Sequence, residues 1–248
     1  MNFIRHILIA SIYFSSTLFA ADLPVLNIGT ESFNPPFVMQ GSKKEIYGFD
    51  IDTMNTLCKM MHRTCQYHVM RFDELIDAVA KKQIDMAISS ITITPERARI
   101  VNFSLPYMLS YSRFVTSPTV KAEPFNLEFL NGKRIGLESG TIFPQQLAAM
   151  GVKNPKLKMY TTVSDQLTGL NKGEVDIILL DNPTANYWAS NSSDTFKLAG
   201  PAYMYGYGLG IAVNPGEGAL LSALNQALLQ YQNSAEYKQN YDKYLLEF

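Results

Sequence analysis

The residues around Arg97 could bind a carboxylate group. Arg97 follows the hydroxyl-rich run SSITITPE at 89–96, whose Thr-Pro pair is typical of the start of a helix. An arginine in a first helical turn can bind a carboxylate through two parallel hydrogen bonds, with the hydroxyls of Ser90 and Thr92 as further donors. The alternative is an ordinary surface ion pair between Arg97 and an acid such as Glu96.

A second group, the carboxylate of Asp181, could bind an ammonium group. Asp181 follows the apolar run IILL at 177–180, which is typical of a buried strand. The alternative is that Asp181 caps the next helix, before Pro183. Gly140 and Thr141 precede another predicted helix, whose free N–H groups could bind an anion. Together these groups predict a site for a free α-amino acid, which carries both charges on one carbon.

Two further acids indicate that the side chain of the ligand is positively charged. Glu31 and Glu138 each follow an apolar strand pattern. Burying an ionised side chain without a partner is costly, so paired acids predict a cationic ligand, arginine first. Glutamine or another polar amino acid is the alternative if Glu138 points to solvent. Phe72 could stack on a flat cation, or it could be a core residue of its helix.

An internal repeat predicts how these groups are brought together. IGTES at 28–32 recurs as IGLES at 135–139, and KKQIDMAI at 81–88 is echoed by KGEVDIIL at 172–179. Strands that alternate with helices are typical of parallel sheets flanked by helices. Ligands of such sheets bind beyond the carboxyl ends of the strands, so two facing lobes would place all the strand-end residues in one cleft.

The connections and the flanking helices are also predicted from local patterns. Two short extended hinges are expected at residues 105–113 and 200–206. Asp50 is placed to cap the helix that follows it. Two helices, over 219–231 and 235–246, are expected to end the chain.

The first twenty residues differ from the rest of the chain. A basic start at Arg5, a short apolar stretch and a small-residue exit are the pattern of a secretory signal peptide. A membrane anchor is the alternative, but a spanning helix needs roughly 20 apolar residues. We therefore expect export, and a soluble mature protein.

Composition excludes several classes of protein. The 248 residues are 47% hydrophobic and 17% charged, which is typical of a soluble globular protein and not of a disordered chain. The formal net charge is −1, so we expect neither a nucleic acid nor an anionic membrane surface as partner.

Cys58 and Cys65, the only cysteines, alternate with His62 and His68. An oxidising compartment favours a disulfide between them. A zinc site is the alternative, although structural zinc sites usually have two separate close pairs of ligands. In both cases we expect the cluster to have a structural role. The disulfide is the interpretation that we adopt, so we predict no metal site.

The whole mature chain resembles the polar amino-acid-binding proteins of ABC importers, near the lysine/arginine/ornithine- and arginine-binding proteins of solute-binding protein family 3. GFDID at 48–52 matches the signature of that family, and the runs at 88–97 and 175–181 match its two ligand-binding segments. The resemblance implies the α/β fold of type II periplasmic binding proteins. Two lobes, each a mostly parallel sheet flanked by helices, are joined by two hinge strands and close on the ligand.

The expected organisation is a signal peptide over 1–20, a first lobe over 21–112 plus 203–248, and a second lobe over 113–202. In the family, the arginine matching Arg97 holds the α-carboxylate and the aspartate matching Asp181 holds the α-ammonium group. The residues matching Glu31, Asn34, Phe72, Ser89, Ser90, Thr92, Arg97, Glu138, Thr141, Ile142 and Asp181 form the predicted ligand-binding set.

The resemblance also implies a disulfide, because basic-amino-acid members of the family carry one at the positions of Cys58 and Cys65. The sequence departs from the family pattern in two places. Asn34 stands where these proteins often have an aromatic residue that stacks on the ligand, and the pair Ile142-Phe143 replaces a more polar pair after Thr141.

The expected function is a monomeric periplasmic receptor that captures arginine, lysine or ornithine and delivers it to an inner-membrane ABC permease. No catalysis and no cofactor are expected. One alternative is an enzyme similar to cyclohexadienyl dehydratase, but the mature histidines lie beside the cysteines, away from the cleft strands. Another is the sensing domain of a receptor, which would need an extension beyond Phe248.

Overall fold

The computed structural model describes residues 25–120 and 125–246, in which ten strands form two five-stranded sheets and two short strands form a separate pair. The signal peptide predicted over 1–20 lies outside the described residues. Among those residues, no helix has both the length and the apolar character needed to cross a bilayer. The fold consists of two lobes, each built around one sheet.

Strands and helices alternate along most of the chain. The strands are β1 (Leu26–Thr30), β2 (Met39–Gln40), β3 (Ile46–Tyr47), β4 (Cys65–Val69), β5 (Met86–Ala87), β6 (Asn102–Phe103), β7 (Tyr111–Thr116), β8 (Arg134–Glu138), β9 (Lys156–Tyr160), β10 (Ile177–Asp181), β11 (Lys197–Met204) and β12 (Ala212–Val213). The α-helices are α1 (Phe49–Met60), α2 (Phe72–Ala80), α3 (Pro95–Ala98), α4 (Phe143–Ala149), α5 (Val163–Asn171), α6 (Asn182–Asn191), α7 (Gly218–Gln232) and α8 (Ala235–Leu245).

The two sheets have the same topology, as the internal repeat predicted. The sheet of the first lobe has the order β4-β1-β5-β12-β6, and that of the second lobe has the order β9-β8-β10-β7-β11. In each, the first three strands are parallel and the fourth is antiparallel to the third. The two repeated motifs therefore occupy equivalent strands, β1 with β8 and β5 with β10. This is the predicted two-lobe α/β fold.

The first sheet is buried between two layers of helices. Ile28 and Leu57 belong to the core that β1 forms with α1, α7 and α8 on one face, and both are fully buried. Leu75 and Val79 of α2 pack with Ala87 on the other face. Because both faces are covered, the inner strands β5 and β12 consist of buried apolar residues only, as is usual for parallel sheets.

The predicted helix cap at Asp50 is wrong. Helix α1 begins at Phe49, and Gly48, with a φ of 136°, is its N-cap. A Cβ atom on Gly48 would lie 2.3 Å from the carbonyl oxygen of Phe37, so only glycine allows this tight entry into the helix. Asp50 consequently lies inside the first turn and is fully buried, and its carboxylate is available for another contact.

The chain crosses between the lobes twice. It leaves the first sheet after β6 and enters the second at β7, and it returns between β11 and β12. The crossing segments are therefore 104–110 and 205–211. The second predicted hinge, 200–206, starts too early because Gly200 and Pro201 lie within β11. They occupy a register shift on this edge strand, where a proline removes no ladder hydrogen bond. The predicted lobe boundaries fall two residues inside β7 and β11 and stay a prediction.

Cys58 and Cys65 form a disulfide, as predicted. The bridge joins the last turn of α1 to the first residue of β4, an edge strand, across a Cα–Cα distance of 6.1 Å. The Nε2 atom of His68 lies 2.8 Å from the side-chain oxygen of Asn27, so this histidine joins β4 to β1. The cysteine–histidine cluster is thus a structural one in the first lobe.

Candidate functional site

The predicted ligand-binding residues meet between the lobes, beyond the carboxyl ends of β1, β5, β8 and β10. All of them except Glu31 and Ser89 line one cavity of about 20 Å³, which has room for about one water molecule. Glu31 and Ser89 contact each other at its edge. The lining consists of Asn34, Phe72, Ser90, Thr92, Arg97, Glu138, Thr141, Ile142, Phe143, Val163, Gln166, Leu180 and Asp181.

Ser90 is at the centre of the polar contacts. Its backbone N–H donates to a carboxylate oxygen of Asp50 at 2.7 Å, and its hydroxyl donates to Asp181 at 2.8 Å. The same hydroxyl accepts from the amide of Asn34 at 3.1 Å. Ser90 has a φ of 44°, a strained conformation that the Asp50 contact helps to hold. Asp50 is therefore a positioning residue of the site, which its sequence context did not reveal.

Arg97 is buried and directed into the cleft. Thr94 caps α3 through its hydroxyl, as predicted, and this places Arg97 in the first turn. The guanidinium donates to the carbonyl oxygens of Thr92 and Gly140, both at 2.8 Å, and stacks 5.4 Å above the ring of Phe72. The surface ion pair is therefore wrong. Burial lowers the pKa of Arg97 to about 10, so the guanidinium is still charged at neutral pH.

Asp181 faces the same cavity from the second lobe. Its side chain makes no capping hydrogen bond to α6, so the helix-cap alternative is wrong. Burial raises the pKa of Asp181 to about 6, although hydrogen bonds from Ser90 and Asn34 and the charge of Arg97 oppose that shift. Asp181 is thus mostly an anion at neutral pH.

The contacts across the cleft show that the lobes are closed. Thr184 of α6 donates to Asn34 at 2.7 Å, and the carbonyl oxygen of Gly140 accepts from Arg97. Gly140 has a φ of 81°, and a Cβ atom there would lie 2.6 Å from the Cα atom of Asp73 in the first lobe. Only a glycine lets the loop after β8 approach α2 so closely.

Glu31 and Glu138 meet from opposite lobes, and each is 5% exposed. Their carboxyl groups lie next to each other across the cleft, and a carboxyl oxygen of Glu31 accepts from the hydroxyl of Ser89 at 2.8 Å. Burial raises the pKa of Glu31 to about 7. Burial also raises the pKa of Glu138 well above its usual range, and repulsion from Glu31 and Asp181 adds to that effect. Two carboxylates this close repel each other, which favours a protonated form of the pair.

The remaining wall comes from the second lobe. Thr141 donates its hydroxyl to the carbonyl oxygen of Glu138 at 2.7 Å, and Ile142 contributes an apolar surface before α4. Gln166 was missed by the sequence argument. Its amide nitrogen donates to two backbone carbonyls, while its side-chain oxygen has no hydrogen-bond partner in the part of the chain that the structure describes. A glutamine on the buried face of α5 was the available signal.

A larger cavity, of about 510 Å³, lies beside the first crossing segment. Its walls are apolar and amide side chains with several tyrosines, and they include no carboxylate, ammonium or guanidinium group. It therefore offers nothing to pair with the charges of a zwitterion. The lining is Pro106, Tyr107, Met108, Leu109, Tyr111, Asn182, Pro183, Asn186, Gln232, Tyr237, Tyr241 and Leu245.

Two α/β lobes that close over buried groups of opposite charge define a solute-binding protein. The chain belongs to the bacterial extracellular solute-binding proteins, family 3, whose sequence profile matches residues 26–247. This confirms the family resemblance.

Named relatives match almost the whole chain. ABC transporter arginine-binding protein 1 of Escherichia coli (strain K12) is 32% identical over 246 residues, 97% of this chain and 98% of that protein. The arginine-binding periplasmic protein of Mannheimia haemolytica is 34% identical over 85% of this chain and 87% of its own. An arginine 3rd transport system periplasmic binding protein from Legionella pneumophila, solved by crystallography, superposes with a TM-score of 0.84. It is 35% identical and covers 89% of this chain and 99% of that one.

Proposed function

We propose that this protein captures a free basic L-amino acid, with arginine preferred, and delivers it to the permease of an ABC importer. The observation that carries the proposal is the pair of buried acids, Glu31 and Glu138, that meets across the cleft beside Arg97 and Asp181. The periplasm is the proposed location, and the names of the relatives support both the compartment and the transport role. No catalytic role is assigned to the site.

The α-carboxylate and the α-ammonium group of the ligand are each bound by a charged residue from a different lobe. A guanidinium has five N–H donors, and Arg97 uses its two terminal nitrogens on carbonyl oxygens, so further donors are available to a ligand carboxylate. Asp181 accepts from Ser90 and has further lone pairs for an ammonium group. A zwitterion satisfies both groups only when the two lobes are together.

The residues that bind the side chain of the ligand offer only hydrogen-bond acceptors. Glu31, Glu138 and the side-chain oxygen of Gln166, which has no partner among the described residues, are all buried, and each can accept a hydrogen bond. A planar guanidinium offers more donors than an ammonium group and fits a carboxylate through two parallel bonds, which favours arginine over lysine. Its positive charge also takes the place of the proton that the two neighbouring glutamates otherwise favour.

Entry of the ligand requires the lobes to separate. A cavity of about 20 Å³ is far smaller than an amino acid, whereas typical ligand sites enclose about 300–1,000 Å³. The contacts that hold the closed form are few and polar, such as those of Ser90 with Asp181 and of Asn34 with Thr184. We infer that the ligand binds to an open form and that closure then buries it.

Calorimetric titration of the mature protein at neutral pH tests this function. We expect L-arginine to bind most tightly, L-lysine and L-ornithine more weakly, and L-glutamine weakest of the four. Binding of glutamine without binding of any basic amino acid would overturn the proposal. A variant with the exposed Arg99→Ala substitution is the matched control for changes at Arg97, because both side chains lie on α3 or at its end.

A further inference from the structure

The Glu31–Glu138 pair lies in a strongly acidic environment. The charged groups that face it are Asp50 from α1, Asp73 from α2 and Asp181 from β10; Arg97 from α3 acts on Asp181, and the exposed Arg71 is ion-paired with Asp73. Arg97 is directed at backbone carbonyl oxygens and makes no ion pair with either glutamate. The neutral partners of Glu31 are the side chains of Ser89 and Asn34. Nothing in this set supplies a positive charge to the pair.

Opening of the cleft changes the state of the pair because Glu31 and Glu138 belong to different lobes. When the lobes separate, each carboxyl group meets water and loses its contact with the other, so its pKa returns toward the ordinary value of about 4.3. At neutral pH the open form therefore carries two carboxylates here. Closure brings them together and requires a positive charge between them.

We propose that the Glu31–Glu138 pair discriminates between ligands by exchanging a proton for a cation, so that closure over a neutral amino acid takes up one proton more than closure over arginine. This inference rests on the proposed function and deepens it. A guanidinium between the carboxylates neutralises them directly. A neutral side chain leaves the two acids to be neutralised from solvent, so the affinity for such a ligand depends on the proton concentration.

The sign of the pH effect follows from linkage. The pair has a higher pKa in the closed form around a neutral ligand than in the open form, so binding of that ligand takes up a proton between the two pKa values. Its affinity falls about tenfold for each pH unit of increase in that range. Arginine needs no such proton. Asp50 and Asp181 respond alike to both ligands, since both bring the same α-carboxylate and α-ammonium groups.

Titrations with L-arginine and L-citrulline test the inference. Citrulline has nearly the shape of arginine but carries a neutral urea group. We expect the ratio of the two affinities to rise about tenfold per pH unit, and about a hundredfold from about pH 5.5 to about pH 7.5. Titrations in two buffers of different ionisation enthalpy should show that citrulline takes up about one more proton than arginine at about pH 6.5. A constant ratio, equal proton uptake, or no binding of citrulline at the acidic end of this range would overturn the inference.

A variant tests whether the Glu31–Glu138 pair causes the pH dependence of the affinity ratio. Because burial by itself raises the pKa of Glu31, the double substitution Glu31→Gln and Glu138→Gln is needed to remove both titrating groups while keeping their shape, and the affinity ratio should then become nearly independent of pH. Glu128→Gln, at an exposed position in the lobe of Glu138, is the matched control and should retain the slope of the wild type. A slope that survives in this double variant would also overturn the inference.

The two proposals can fail separately. Arginine that does not bind at any pH contradicts the proposed function itself. Arginine that binds tightly, with the same pH dependence as citrulline, leaves the proposed function standing and removes only the proton exchange.

Discussion

The two lobes share one topology but build their halves of the site differently. In the first lobe, the key groups are held by that lobe alone: Ser90 by Asp50, Glu31 by Ser89, and one arm of Arg97 by the carbonyl oxygen of Thr92. These contacts do not depend on closure. The first lobe is therefore preorganised to receive a ligand.

The second lobe depends on the first. Asp181, Thr184 and the carbonyl oxygen of Gly140 all find hydrogen-bond partners across the cleft, and Glu138 lies next to Glu31. In the open form these groups face water. The difference indicates an order of events, in which the ligand first meets the preorganised lobe and the second lobe then completes the site. We therefore expect substitutions in the first lobe and in the second lobe to change the kinetics of ligand binding in different ways.

The largest effect is expected for Arg97→Ala in the first lobe. Without the guanidinium, the ligand carboxylate is buried unpaired, which costs about 2–5 kcal/mol, or roughly 30- to several-thousand-fold in affinity. Calorimetry with arginine measures the loss, and Arg99→Ala should bind like the wild type. Because first contact is lost, association as well as dissociation should be affected in stopped-flow traces. Near-normal affinity would place Arg97 outside the site.

A comparable equilibrium loss, with a different kinetic signature, is expected for Asp181→Asn in the second lobe. The α-ammonium group loses its anion on closure, so affinity should fall by about 2–5 kcal/mol while the initial association rate stays close to that of the wild type. Small-angle scattering with arginine should no longer show full compaction. The control is Asp194→Asn, an exposed change in the same lobe. If Asp181→Asn compacts normally at the same arginine concentration, the proposed order of events is wrong.

A smaller effect is expected for Gly140→Ala, which tests closure without touching a charge. The added Cβ would lie 2.6 Å from the Cα atom of Asp73, and this clash exists only when the lobes are together. We expect about a tenfold or greater loss of arginine affinity, corresponding to about 1.4 kcal/mol.

Gly151→Ala is a matched control for that change, because Gly151 has a φ of 78° and open space around its Cα. It carries the same backbone strain of about 1 kcal/mol or more without the clash between lobes. Equal effects of the two substitutions on binding would show that strain alone, and not closure, is responsible.

The smallest effect on binding is expected when the disulfide is removed by replacing Cys58 and Cys65 with serine. The bridge closes a short loop within the first lobe and lies away from the cleft, so its loss should lower the free energy of unfolding by about 2 kcal/mol. Thermal denaturation measures this loss. The preference for arginine over glutamine should be unchanged, and a changed preference would mean that the bridge shapes the preorganised lobe.

Much of the fold could be predicted because its determinants are local. The alternation of apolar strands with amphipathic helices predicted two parallel sheets, and the repeat of IGTES as IGLES predicted that the lobes match. The Thr94–Pro95 pair predicted the helix that carries Arg97, since a cap depends on residues only three positions apart. The site residues at strand ends followed from the general geometry of parallel sheets.

Other features were decided by contacts between distant parts of the chain. Asp50 has the sequence context of a helix cap, but its partner is the backbone of Ser90, forty residues away, at a strained turn. The contact between Glu31 and Glu138 joins two lobes and exists only when they close. Residue type and spacing determined which groups would be present and at which strand ends. Only the tertiary structure decided which of them touch, because burial and through-space charge act between elements that the sequence keeps far apart.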